Sequence, residues 1–226
     1  MLKSACACIV GWHYNLHVYE RVNQIDSLDV YVISHRQPTD VPESIGRYIL
    51  KENLFFEPNL GYDWGAYQQF LEKGVYQQYR YVFFMHDDLE ILDLNFMQAC
   101  ITILNSCSQI VGNGRHENIT NWPKLEPWSY AHSVWKPPSL EFCHECVRGS
   151  FIATTSRTLD KIGNFEVFWD RMHISDVFGN WSTKATCGKF REILGERCFG
   201  FLSENPRRSK FIIESIRGKS HGQNLN

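Results

Sequence analysis

The hydrophobic pattern of the chain alternates between a strand-like and a helix-like period. Ala5 to Val10 is a short apolar run, and such a run reads as a strand buried on both faces. His13 to Ile25 then sets Leu16, Tyr19 and Val22 on one helical face. Val30 to Ser34 predicts a second strand. A stretch from Pro38 to Pro42 leads to a predicted helix over about Glu43 to Lys51. Asn53 to Phe56 is a short third strand ended by Pro58, and the next helix opens within Asn59 to Ala66 and runs to about Lys73. Tyr81-Val82-Phe83-Phe84-Met85 is the most apolar segment and predicts the central strand. A helix over Leu94 to Ser106 and a strand over Gln109 to Gly112 follow.

Beyond Gly114 the texture changes. Residues 115–147 are rich in Pro, Trp, His and Asn with little periodicity, the mark of a functional or mobile segment. Phe151 to Thr155 reads as another strand, and Ser156 to Ile162 as a short helix closed by Gly163. The tail, with Arg207, Arg208 and Lys210 ahead of Phe211 to Gly218, reads as basic and helical, and its last eight residues as frayed. Strands alternating with helices at this spacing predict an α/β fold with a mostly parallel central sheet flanked by helices.

Composition narrows the class. Of the 226 residues, 43% are hydrophobic and 14% aromatic, which excludes a disordered or fibrous chain. A net charge of -2 gives no reason to expect broad nucleic-acid binding. No segment approaches the roughly 20 apolar residues of a membrane helix, and Met1 to Val10 is too short for a signal peptide, so the expected location is cytoplasmic. In that setting the eight cysteines read as small buried hydrophobes rather than disulfides. The triplets at Asn118 and Asn180 then read as chance matches to a glycosylation site.

The candidate chemistry gathers at the carboxyl end of the central strand. Asp87, Asp88 and Glu90 follow the apolar run, where open α/β sheets bind ligands. Adjacent carboxylates repel unless a cation or donors neutralise them, and oxygen ligands of this kind suit Mg²⁺ or Mn²⁺ beside a phosphate-bearing substrate. A solvated turn, with Asp88 capping the next segment, is the plain alternative. In Asn59-Leu60-Gly61-Tyr62-Asp63-Trp64-Gly65-Ala66 the Asn-x-Gly turn lets backbone approach a ligand, and Asp63 can cap free amides at a helix start. Cys143 and Cys146 have the spacing of half a zinc site, but ordinary loop thiols fit better because no second pair exists. Glu166, Asp170, His173 and Asp176 offer general-base or ligand candidates that spacing alone does not rank. Arg207, Arg208, Lys210, Arg217 and Lys219 could neutralise a diphosphate or simply form a solvated helix end.

Taken in order, these segments resemble the GT-A glycosyltransferases, especially the family-2 group. Asn59 to Ala66 is similar to that family's Asn-x-Gly segment. Phe83 to Glu90 resembles its hydrophobic strand ending in the Asp-x-Asp metal motif. Arg148-Gly149-Ser150-Phe151, with Leu159 to Phe165 after it, resembles the acceptor-side glycine strand and following helix. The likeness covers residues 5–180. It implies one GT-A-like domain: a nucleotide-sugar half over 1–114, an acceptor half over 115–180, and a helical, basic tail over 181–226. It implies a metal-dependent glycosyltransferase in polysaccharide biosynthesis, with a nucleotide-diphosphate sugar as donor and a glycan or lipid-linked hydroxyl as acceptor. Loose membrane association is compatible with such an acceptor.

On the resemblance, Asp88 with Asp87 would hold Mg²⁺ or Mn²⁺. Asn59, Gly61, Asp63, Asp87, Gly149, Arg207 and Arg208 would contact substrate, and Asp176 would be the catalytic base. His86 stands where the first Asp of Asp-x-Asp would be, and Ser175 replaces the Glu that precedes the base in inverting members. These two departures define the second expectation, a non-catalytic GT-A-like domain that binds a nucleotide sugar or glycan. A sugar-phosphate nucleotidyltransferase is disfavoured, because Gly11-Trp12-His13-Tyr14 is a poor triphosphate loop.

Overall fold

The computed structural model describes residues 3–106, 108–116, 145–167, 175–195, 197–202 and 216–218; for 114–116, 145–146, 175–181, 184 and 216–218 it describes the backbone alone. The predicted alternation is present. Strand β1 (Lys3–Gly11) leads to helix α1 (Leu16–Asn23), then β2 (Leu28–Ser34), β3 (Leu54–Phe56) and α2 (Tyr62–Glu72). After these come β4 (Tyr79–His86), the short β5 (Leu89–Ile91), α3 (Phe96–Ser106) and β6 (Ile110–His116). The rest is β7 (Glu145–Thr155), α4 (Ser156–Ile162), α5 (Ser175–Leu194), β8 (Phe199–Phe201) and β9 (Ile216–Gly218).

The seven-stranded sheet has the order β3-β2-β1-β4-β7-β6-β8, and β5 pairs separately with β9. β3, β2, β1 and β4 run parallel, while β7 is antiparallel to both of its neighbours. The sheet is therefore mixed but mostly parallel, and covered by helices on both faces. The pleat sorts alternate residues between two cores. Cys6, Cys8, Val82 and Phe84 pack with Trp64, Tyr67 and Phe70 of α2, Leu159 of α4 and Phe190 of α5. Ala5, Ala7, Phe83 and Met85 pack with Val18, Tyr19 and Val22 of α1 and Phe96 of α3. Because β4 is buried on both faces, its sequence is an unbroken apolar run.

Three sequence expectations are corrected. The predicted helix over Glu43 to Lys51 is instead two short 3-10 turns, Glu43–Arg47 and Lys51–Asn53. Gly46 within the run weakens an α-helix there. The tail segment Ile216–Gly218 is a strand paired to β5, not a helix. Asp63 is not a helix cap: the cap position of α2 is Gly61, at φ 84°, and Asp63 lies in the first turn. The structure also adds α5 and β8, which the periodicity did not signal. Among the described residues no helix is long and apolar enough to cross a membrane. Cys6, Cys8, Cys100, Cys187 and Cys198 are buried, and burial pushes the Cys6, Cys8 and Cys100 thiols up, away from reactive thiolate.

Candidate functional site

Three parallel strands deliver their carboxyl ends to one edge: Gly11 of β1 pairs with Ser34 of β2, and Val10 pairs with His86 of β4. The alternation along β4 decides what happens next. Phe83 and Met85 face α1, and Asp87 continues on that side. Its Oδ2 accepts the Trp12 N–H at 2.9 Å and the Tyr14 N–H at 2.5 Å, and the residue is 1% exposed. Burial raises its pKa while the two amide donors oppose that shift. Asp87 thus fastens the β1–α1 loop to the end of β4. The same loop is held from β2, where the Tyr14 hydroxyl donates to Ser34 Oγ at 2.5 Å.

Val82 and Phe84 face α2, and His86 continues on that opposite side. Its Nε2 lies 3.4 Å from Asp63 Oδ2, and its Nδ1 lies 3.5 Å from Asp88 Oδ1. The Nε2 contact is an ion-pair approach rather than a well-aligned hydrogen bond. The His86 side chain is 24% exposed and each carboxylate 17%, so the cluster sits at an opening rather than in the core. Burial acts to lower the His86 pKa, but the Asp63 and Asp88 carboxylates outweigh it and raise it to about 10. His86 is therefore an imidazolium at neutral pH.

Helix α2 carries Asp63 to this point. The turn before it needs a positive φ at Gly61, and Tyr62 follows at φ 56°. Across the sheet, β7 passes so close that a Cβ on Gly149 would lie 1.7 Å from Asp63 Oδ2. Only glycine admits the carboxylate there. The Tyr67 hydroxyl donates to the Gly149 carbonyl, and Trp64 Nε1 donates to Thr183 Oγ1 of α5 at 2.9 Å. At the rim, Trp12 is 41% exposed and Arg36 lies over its ring at 5.5 Å, with Arg36 Nη1 donating to the Trp12 carbonyl at 3.2 Å.

The expected site residues are thus only partly assembled. Asp63, Asp88 and Gly149 meet, with Gly61 at the turn. Asn59 is exposed in the same loop, and Asp87 is turned inward. Asp176 is the second residue of α5, described by its backbone alone. Arg207, Arg208, Lys210, Cys143, Asp170 and His173 lie outside the described residues. Sequence reasoning missed Trp12 and Arg36, and it missed His86 as the bridge between Asp63 and Asp88. The signal available was an imidazole set directly beside two carboxylates.

The donor set does not suit a divalent metal held by Asp87 and Asp88 together. Asp87 spends Oδ2 on two backbone amides on the other side of the sheet. The imidazole ring fills the position between Asp63 and Asp88. Among the described residues no three His, Cys, Asp or Glu side chains converge as a metal-ligand set.

No protein-family model and no curated protein matches the sequence. Solved structures do match. A crystal structure of S. aureus TarS 1-349 superposes with a TM-score of 0.50 at 12% identity, over 89% of this chain and 58% of that one. The same protein in complex with UDP-GlcNAc gives a TM-score of 0.51 at 12% identity, over 89% of this chain and 56% of that one. The fold is GT-A-like. The chain spans less than two thirds of the length of those structures, and at this identity the likeness concerns the fold. Within this GT-A-like fold, the Asp63–His86–Asp88 cluster and the Trp12–Arg36 rim occupy the edge where open α/β sheets bind ligands.

Proposed function

We propose that this GT-A-like chain binds a nucleotide-diphosphate sugar over the carboxyl ends of β1, β2 and β4 and transfers the sugar to a hydroxyl acceptor. The observation that carries the reading is the convergence of Asp63, His86 and Asp88 at that edge, beside an exposed indole and guanidinium. A flat Trp12 ring under Arg36 offers a stacking surface for a base. The two carboxylates offer acceptors for sugar hydroxyls. The fold shared with a protein crystallised with UDP-GlcNAc supports a donor of that chemical class.

In the transfer step an acceptor hydroxyl gives its proton to a base as its oxygen bonds to the anomeric carbon. The bond from that carbon to the diphosphate oxygen breaks, and the diphosphate leaves with the electron pair. Asp176 near the start of α5 is our candidate base, on the resemblance alone, and Arg207 and Arg208 remain candidates to meet the leaving charge. On the same resemblance the acceptor would be a glycan or lipid-linked hydroxyl.

A second reading, a non-catalytic nucleotide-sugar or glycan binder, is favoured by the same two positions that depart from the family pattern, His86 and Ser175. A thermal-shift screen with UDP-, GDP- and dTDP-sugars tests the first step, because a ligand bound only by the folded chain raises its stability, by about 2.7 kcal/mol at a hundredfold excess over Kd. Binding followed by sugar release or transfer supports the transferase. Binding without turnover toward any of a panel of hydroxyl acceptors supports the binder. No stabilisation by any nucleotide sugar overturns the transferase and leaves only the glycan binder of the second reading.

A further inference from the structure

We infer that this site works without a divalent metal, because His86 fills the position that an ion would take between the Asp63 and Asp88 carboxylates. The inference rests on the proposed nucleotide-sugar site and specifies how its charge is balanced. Three observations carry it. First, the pleat of β4 separates the neighbouring carboxylates: Asp87 points toward α1 and holds the Trp12 and Tyr14 amides, while Asp88 points to the α2 side. They cannot chelate one ion without undoing the β1–α1 loop.

Second, both ring nitrogens of His86 face carboxylate oxygens, Nε2 toward Asp63 at 3.4 Å and Nδ1 toward Asp88 at 3.5 Å. The ring therefore occupies the space between the two carboxylates. Third, Asp63 is confined on the side of β7. The α-hydrogen face of Gly149 closes on its Oδ2, and Tyr67, in the same helix, anchors the Gly149 carbonyl.

The charge count gives the physical reason. With His86 the cluster holds two carboxylates and a ring that adds no negative charge. An aspartate at position 86 would set three carboxylates together, a repulsion that a divalent cation would relieve. The natural residue therefore removes the need that the metal motif creates. Held on either side of His86, Asp63 and Asp88 offer acceptors for hydroxyl groups of the bound sugar.

The test compares Mn²⁺ uptake, followed by the loss of the free-ion EPR signal, in the wild type, Asp88→Asn, His86→Asp and His86→Asp/Asp88→Asn. Expected are no uptake by the wild type, one ion per chain with His86→Asp, and loss of that ion in the double variant. Uptake by the wild type that Asp88→Asn removes would overturn the inference, as would a folded His86→Asp protein that takes up no ion. If His86→Asp does not fold, the wild-type arm still decides. A second arm measures nucleotide-sugar affinity by calorimetry in EDTA and in Mn²⁺. Affinities within twofold of each other are expected, and a tenfold loss in EDTA contradicts the inference. No binding in either buffer would sink the proposed function instead, and the Mn²⁺ arm would still stand on its own.

Discussion

On the α1 side of the sheet, the end of β4 is a structural clasp; on the α2 side, one residue away, it is a half-buried charged cluster. Asp87 is 1% exposed and satisfied by backbone amides, whereas Asp88 is 17% exposed and satisfied by an imidazolium. The same residue type therefore does different work because a strand turns successive side chains to opposite faces. Adjacency in sequence does not put two carboxylates on one ion.

The comparison can be broken first by removing the clasp. Asp87→Ala leaves the buried Tyr14 amide and the part-buried Trp12 amide without their acceptor, and hydrogen bonds to a charged group are worth about 1.5–3 kcal/mol each. We expect a stability loss of about 3 kcal/mol in urea unfolding; a loss below about 1 kcal/mol would erase the distinction. Gly149→Ala comes next. Its Cβ would overlap Asp63 Oδ2, so overpacking should cost about 1–3 kcal/mol and weaken nucleotide-sugar binding by displacing that carboxylate. A folded variant of unchanged stability and affinity would show that the close approach is dispensable.

On the other side, Asp88→Asn should do little to the fold, about 1 kcal/mol or less for a partly exposed ion pair. It should nevertheless weaken nucleotide-sugar binding by about tenfold, equivalent to 1.4 kcal/mol. A large stability loss with unchanged affinity would reverse the assignment of roles. The remaining effect is a pH dependence. The folded pKa of His86 is raised to about 10 from an ordinary 6.5. The stabilisation from its charge is thus fully present below pH 6.5 and is lost as pH rises through about 10. In NMR the His86 ring should stay protonated at pH 8, and Asp88→Asn should move its midpoint down; a midpoint near 6.5 in the wild type would contradict the paired cation.

Much of the sheet was legible in the sequence because its strands are buried on both faces and read as apolar runs. Tyr81 to Met85 is the clearest, and the strand extends only to Tyr79 and His86. α5 was not legible: its sequence holds Gly179 and Gly188 and mixes polar with apolar residues on every side. β8 and β9 are three residues each, too short for a period to show. In the site, the strand end, the Asn-Leu-Gly turn and Gly149 were visible as local patterns. The pairing of Asp63 with His86 was not, since it depends on α2 packing across β4 between residues far apart in the chain. Nor was the inward turn of Asp87, which depends on where β4 ends in its pleat.

The central claim is that a nucleotide sugar binds at the carboxyl ends of β1, β2 and β4. The most direct measurement is the mapping of amide NMR shifts in ¹⁵N-labelled protein titrated with the nucleotide sugar that stabilises it most. The account predicts saturable shifts at Trp12, Arg36, Asp63, His86 and Asp88, with Ala99 to Thr102 of α3 unmoved. Saturable binding with shifts confined to α3 and the far edge of the sheet, or no saturable shift with any nucleotide sugar, would contradict it.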